Sequence, residues 1–167
     1  LAPAFYGGLT ASMVDNGLPV TVSFPLHPSW EFLALIPDFD LPTSLARSVL
    51  PEQVSRGDAI YNIAHGAMVL KALELGDEKL LRTAMQDRLH QKYRKKLIPD
   101  YEKIEALART HGAAFCLSGA GPTLLCMTRD KELSQKLTKK LPAVTEHNWE
   151  ILPLHVEFQG AQAFPEE

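Results

Sequence analysis

Two short apolar runs, Ala113–Leu117 and Thr123–Met127, are joined by Ser118-Gly119-Ala120-Gly121-Pro122, and this arrangement limits the fold more than any other stretch of the chain. Runs this short have strand length, and a glycine-rich link of this size makes the two strands antiparallel neighbours. The link also fixes a register. A turn at residues 119–122 puts Cys116 opposite Leu125 and points Cys126 to the other face of the sheet. The chain's two cysteines are therefore expected to be small buried hydrophobes that do not bridge. Two are too few for a disulfide framework and lack zinc-site spacing, so a reducing, cytoplasmic setting is expected.

Helical patterns surround this hairpin. Ser55 and Asp58 have the spacing by which a cap hydroxyl and an acidic side chain satisfy free N–H groups at a helix start. Ile60, Ile63, Ala64, Ala67, Met68 and Leu70 then supply an expected buried face as far as Gly76, which suits a left-handed terminus. Asp77 opens a second helix with Leu80, Leu81, Ala84 and Met85 on one side. A third runs from Pro99 through Ile104, Leu107 and Ala108 to Gly112, with proline at its start and glycine past its end. A fourth carries Leu133, Leu137 and Leu141. Thr43–Leu50 reads as a short helical or turn-like segment.

The remaining extended segments are Gly8–Val14 and Val20–Val22 about the turn Asp15-Asn16-Gly17, then Trp30–Ile36, and finally Ile151–Phe158. Strands and helices in this order predict an α+β fold, a small antiparallel sheet packed on helices. With 17 basic and 20 acidic residues, the formal net charge of -3 excludes a protein that coats nucleic acid through overall charge. No apolar run approaches the roughly 18 residues of a membrane span. The chain does not begin with Met, and it is expected to be an excised piece of something longer, with apolar surface exposed around Leu1–Leu9 and a tendency to self-associate.

Three features could carry chemistry. The first is the loop Ser118-Gly119-Ala120-Gly121, whose glycines let backbone approach a bulky anion and whose successive N–H groups can form an anion nest; the alternative is a hairpin turn chosen for its backbone angles alone. It is not a dinucleotide fingerprint, because a strand rather than a helix follows it. The second is the basic stretch Arg88, His90, Lys92, Arg94, Lys95 and Lys96, ordinarily a solvated face, in which one guanidinium near the glycine loop could clamp a carboxylate or phosphate. Thr43 and Arg47, four residues apart, form a weaker pair that would share a helical face. His65, His111, His147 and His155 lack metal-site spacing, and no catalytic triad or metal set is assigned.

Taken together these segments resemble the GHMP small-molecule kinases, and within them the homoserine kinase branch. Ala2-Pro3-Ala4-Phe5-Tyr6-Gly7-Gly8 is similar to that family's A-P-x-x-x-G-G stretch. Thr43 to Arg47 with Val49-Leu50-Pro51 resembles T-x-x-A-R-x-x-L-P, and the stretch Asp87 to Pro99 resembles H-x-P-Y-R-x-x-L-I-P, with Lys92 where many members have proline. Ser118-Gly119-Ala120-Gly121-Pro122-Thr123 resembles the third GHMP motif.

The resemblance implies a ferredoxin-like GHMP C-terminal domain over residues 29–160. It also implies the end of a truncated nucleotide-binding domain over 1–28 and a tail over 161–167. Arg47 and Arg94 would hold the carboxylate of L-homoserine, Thr43 would lie near the transferred phosphate, and Ser118, Gly119, Ala120 and Gly121 would lean against the ATP-binding loop. The cofactors implied are ATP and Mg²⁺, bound mainly upstream of Ala2, where the family's P-x-x-x-G-L-G-S-S-type run belongs. The implied activity is phosphorylation of the homoserine hydroxyl in threonine biosynthesis by a homodimer that binds neither nucleic acid nor membrane, with this piece inactive alone. The alternatives are an amino-acid-binding regulatory module and a GHMP kinase for another alcohol such as mevalonate.

Overall fold

A computed structural model describes residues 2–163. The chain opens with a one-turn helix α1 (Ala2–Tyr6) and a hairpin of β1 (Leu9–Asp15) and β2 (Leu18–Phe24). Asn16 and Gly17 sit at φ 49° and 81°, the doubly positive pair that a two-residue hairpin needs and that this dipeptide tolerates. The hairpin forms a two-stranded sheet of its own, paired from Leu9↔Phe24 to Asp15↔Leu18.

β3 (Glu31–Pro37) starts the main sheet. It is followed by α2 (Thr43–Ser48), α3 (Arg56–Leu75), α4 (Glu78–Ala84), the single turn α5 (Gln91–Arg94) and α6 (Tyr101–Thr110). The hairpin β4 (Ala114–Leu117) and β5 (Leu124–Thr128), then α7 (Leu133–Lys140) and β6 (Trp149–Leu154), complete it. The strand order is β4-β5-β3-β6, antiparallel throughout, which is the ferredoxin-like β-α-β-β-α-β arrangement expected.

The register Cys116↔Leu125 and Phe115↔Cys126 is the one the loop length dictates. Phe115, Leu117, Leu124 and Cys126 therefore face one core, built with Ile104 and Ala108 of α6 and with Leu133, Leu137 and Leu141. Ala114, Cys116 and Met127 face the other, built with Ala72 and Leu73 of α3 and Leu81 of α4. The sheet thus has the expected helices on one face, and α4 with the end of α3 adds a second cover opposite. Both thiols are free and buried, and burial pushes each up to about 12.

Caps set the helix boundaries. Ser55 Oγ accepts from Asp58 N at 3.0 Å, Asp77 Oδ1 accepts from Leu80 N at 2.9 Å, and Gly76 ends α3 at φ 68°. A Cβ on Gly76 would come within 2.8 Å of the His27 ring, so the close approach of the β2–β3 connection also requires glycine there. Trp30 Nε1 and His27 N both donate to the Leu73 carbonyl, at 2.8 and 3.0 Å, and dock that connection on α3.

Two expectations need correction. The apolar stripe of α3 is not a buried face among the described residues, because Ile60, Ile63 and Met68 are 57%, 75% and 52% exposed and Ala64 and Ala67 are exposed too. Only Ala72 and Leu73 of the helix are buried, where α4 and the sheet reach it. Periodicity marks a face as apolar without saying what covers it. The last strand begins two residues earlier than expected and ends at Leu154 rather than Phe158. As expected, Phe5 and Tyr6 expose apolar surface near the first residues, joined by Met13, Val14 and Leu18 of the hairpin. Residue 1 and, of the expected tail, residues 164–167 lie outside the described residues. No described helix is long and apolar enough to cross a membrane.

Asp100 ties α6 to the loop before β6. Its side chain is 2% exposed and accepts the backbone N–H groups of Glu146 and His147 at 3.0 Å each. Burial alone would raise its pKa, but these N–H groups and the His147 ring outweigh it and hold the carboxyl down from 3.8 to about 2. A pKa lowered in the folded state means that the ionised carboxylate stabilises the fold above pH 3.8, and that this contribution disappears as pH falls towards 2. Asp100→Ala should lower the free energy of urea unfolding at neutral pH by about 2–4 kcal/mol, the cost of losing several charge-assisted bonds. It should also flatten the acid limb of the stability profile between these two pH values.

Candidate functional site

The site candidates lie on three segments that meet at one edge of the main sheet. The loop of residues 118–123 leaves β4 and enters β5 with Ser118 N donating to Thr123 O at 2.9 Å and Gly121 N to Ser118 O at 3.1 Å. Gly119 and Gly121 stand at φ 62° and 87°, and the Gly121–Pro122 peptide is cis. Both glycines thus serve the backbone angles of the turn, but their surroundings differ. A Cβ on Gly119 would meet nothing within 4 Å, whereas one on Gly121 would press on Ile98 Cδ1 at 3.0 Å, with Leu117 and Leu41 at 3.5 Å. One side of the loop is packed and the other is open. Ser118 and Gly119 are exposed, and Ala120 is half-buried.

The basic stretch delivers one arginine to this loop. Arg94, at the end of α5, donates Nη1–H to Gly119 O at 3.1 Å and Nε–H to Ala46 O at 3.0 Å. Its guanidinium thereby joins α5, the glycine loop and α2. Thr43 and Arg47 lie on α2, at its first residue and one turn later; both side chains are exposed. Among the described residues no hydrogen bond joins them to the loop, and what connects them to it is the Ala46 carbonyl beside Arg47. The geometry leaves one edge of the Arg94 guanidinium available to a carboxylate or phosphate, next to a loop whose open side admits close approach, with Arg47 exposed on the helix that Arg94 holds.

Lys92 and Arg88 of the same stretch have surface roles. Lys92 reaches Asp58 Oδ2 at 3.4 Å and Arg88 stacks on the Tyr61 ring at 3.7 Å, which tie the connector to α3 through partly exposed contacts worth little individually. Where many members of the resembled family have proline, the Lys92 tie is what this chain supplies. His65 Nδ1 pairs with the Tyr61 carbonyl at 2.9 Å and His111 Nδ1 with the Leu107 carbonyl at 2.8 Å, both i−4 contacts of packing histidines.

Sequence reasoning assigns no role to Asn62, Asp87 or Gln91, and the structure gives each one. Gln91 Oε1 accepts from Leu117 N at 2.8 Å and pins α5 to the end of β4, while Asp87 and Asn62 form a half-buried carboxylate–amide contact. Asn62 is a poor helix former amid the apolar positions of α3, but a lone asparagine in a helix is too common to be a signal by itself.

Residues 69–147 match the family model described as GHMP kinases C terminal. The chain is 38% identical over 161 residues to a homoserine kinase of Clostridium botulinum, covering 95% of this chain and 54% of that protein. It is 39% identical over 168 residues to a homoserine kinase of Nostoc punctiforme, covering 98% and 55%. The chain thus spans about half the length of the curated relatives it matches. Among solved structures, a homoserine kinase from Cytophaga hutchinsonii superposes with a TM-score of 0.84 at 24% identity, covering 95% of this chain and 51% of that one. A phosphomevalonate kinase from Streptococcus pneumoniae superposes with a TM-score of 0.65 at 15% identity, covering 86% and 43%. Both likenesses are of fold.

The two sides of the loop should respond differently to substitution. Gly119→Ala should cost about 1–2 kcal/mol of unfolding free energy, the strain of a side chain at positive φ. Gly121→Ala should cost more by about 1 kcal/mol or greater, because it also overpacks Ile98. Paired urea unfolding curves would check the order.

Proposed function

We propose that the chain is part of an ATP-dependent homoserine kinase, because residues 69–147 match the GHMP kinase C-terminal family model and homoserine kinases align with nearly the whole chain. In this reading the side-chain hydroxyl oxygen of L-homoserine forms a bond to the γ-phosphorus of ATP, ADP departs, and O-phospho-L-homoserine is the product, a step of threonine biosynthesis. Arg47 and Arg94 hold the substrate carboxylate. Thr43 lies near the transferred phosphate, and Ser118–Gly121 braces the nucleotide-binding loop of the preceding domain, of which residues 1–28 are the end. The observation that carries the reading is the position of Arg94, whose guanidinium is bonded at once to the glycine loop and to the helix that bears Arg47.

That position has a mechanistic use. Phosphoryl transfer is mostly positioning and charge stabilisation, and a guanidinium already oriented by two carbonyls loses little further freedom when a carboxylate arrives. The same group links carboxylate recognition to the loop beside the phosphates, so binding of the correct amino acid would steady both ends of the reacting pair. Mg²⁺ supplies charge neutralisation on the phosphates when bound. The described residues hold no group of three or more His, Cys, Asp or Glu side chains placed for a metal, and no step is assigned to it on this chain.

The complete enzyme is cytoplasmic and homodimeric in this proposal, and this piece does not turn over alone. The apolar surfaces of α1, the β1–β2 hairpin and α3 offer area to both a preceding domain and a partner subunit.

ADP release by the complete protein should be confined to L-homoserine within a panel that includes mevalonate and small alcohols. Arg94→Ala should raise the KM for homoserine about a hundredfold, as loss of a charged hydrogen-bonding partner does. Activity on mevalonate, or unchanged homoserine kinetics in Arg94→Ala, would refute the assignment. Amino-acid binding without any phosphorylation would point instead to a regulatory module.

A further inference from the structure

The turn that presents Arg94 is too short to hold itself. α5 has four residues, and a single helical turn fixes several dihedral angles for very little hydrogen bonding. Its shape is imposed from outside. Asp87 Oδ1 accepts the N–H groups of His90 and Gln91 at 2.6 and 2.7 Å, the two donors left open at the start of the turn. Asp87 Oδ2 accepts from Asn62 Nδ2 at 2.5 Å, and Asn62 Oδ1 accepts from Arg88 N at 2.9 Å. The Asp87 side chain is 7% exposed, so its own bonds are largely shielded from water, while the Arg88–Asn62 bond lies at the surface.

The chain of contacts continues to the site. The His90 carbonyl accepts the N–H of Arg94 at 3.1 Å, and the His90 ring Nδ1 lies 3.5 Å from Arg94 Nη1. Burial and the Arg94 charge lower the His90 pKa against the pull of Asp87, which favours the neutral ring that can accept from the guanidinium. The same carboxylate that caps the turn also holds Gln91, which anchors the turn to Leu117 N at the end of β4, so Arg94 and its anchor share one support.

We infer that Asp87, locked by Asn62 on α3, is the positioning residue for Arg94: the carboxylate nucleates the α5 turn and thereby aims the guanidinium at Gly119 and Ala46. The importance of that aim for catalysis rests on the homoserine kinase reading; the aim itself does not. The pairing is directional, amide to carboxylate, and it can be reversed. With Asn62→Asp and Asp87→Asn together, the amide now on the connector donates its N–H to the carboxylate now on α3, and the amide oxygen still accepts from the turn. The second oxygen of the relocated carboxylate accepts from Arg88 N, and net charge is unchanged.

The test uses the complete enzyme with ¹⁵N-labelled arginine. The Arg94 Nε–H signal, assigned by its loss in Arg94→Lys, reports its bond to the Ala46 carbonyl, and steady-state kinetics report the site. Asn62→Asp alone sets two carboxylates face to face, and Asp87→Asn alone sets two amide groups so. Each should speed Nε–H exchange and raise the KM for homoserine by at least about tenfold, with the KM for ATP changed less than about twofold. The reversed pair should return both readouts most of the way. Should a single variant fail to fold, Asn62→Ala, which removes the lock but keeps the cap, should show the same pattern more weakly. Single variants with an unchanged Nε–H signal, or a reversed pair as impaired as they are, would overturn the inference. A signal that moves and recovers while the homoserine KM stays constant would leave the positioning intact and refute the carboxylate role of Arg94.

Discussion

One guanidinium holds together segments that lie far apart along the chain. Arg94 is 48 residues from the carbonyl it takes on α2 and 25 from the carbonyl it takes in the glycine loop. An arginine can do this because its N–H groups lie in a rigid plane and point in different directions, so one side chain can satisfy carbonyls on two elements and keep an edge for a third partner. A lysine ammonium would concentrate the same charge at one point and fix no plane. The site is therefore an arrangement of three backbones around one flat cation, and each of those backbones is held in its own way: the β4–β5 ladder for the loop, the buried Ala46 for α2, and Asp87 for α5.

Much of the fold was legible because local rules and global packing agree. The β4–β5 register follows from the length of the link and the alternation of apolar residues, and it assigns each cysteine to its core before any tertiary contact is considered. Ser55, Gly76, Asp77 and Gly112 mark helix ends through backbone chemistry that acts within one turn. The face of α3 illustrates the opposite case. Its spacing is that of a packed helix, yet the residues are open to solvent over most of its length, since an apolar stripe records a requirement for a partner and carries no information about which chain supplies it.

The site was legible in its charges and its glycines and illegible in its supports. Arg94 and residues 118–121 stand out in the sequence because their chemistry is unusual for their setting. Asp87 and Asn62 do not, because an aspartate before a basic run reads as ordinary charge balance and a single asparagine in a helix reads as tolerance. Their meaning comes from a contact across 25 residues, formed when α3 and the connector pack together. Supports of this kind become visible only when burial and hydrogen-bond direction are known together.

The two cysteines have a practical corollary. Each thiol is enclosed on its own side of the sheet, and burial keeps it protonated through the physiological range, so the nucleophilic thiolate is scarce and out of reach while the domain is folded. The native molecule is in effect a thiol-silent scaffold. A cysteine introduced on its surface is the single address for a probe, and modification of the native pair at Cys116 and Cys126 times the opening of the two cores one by one.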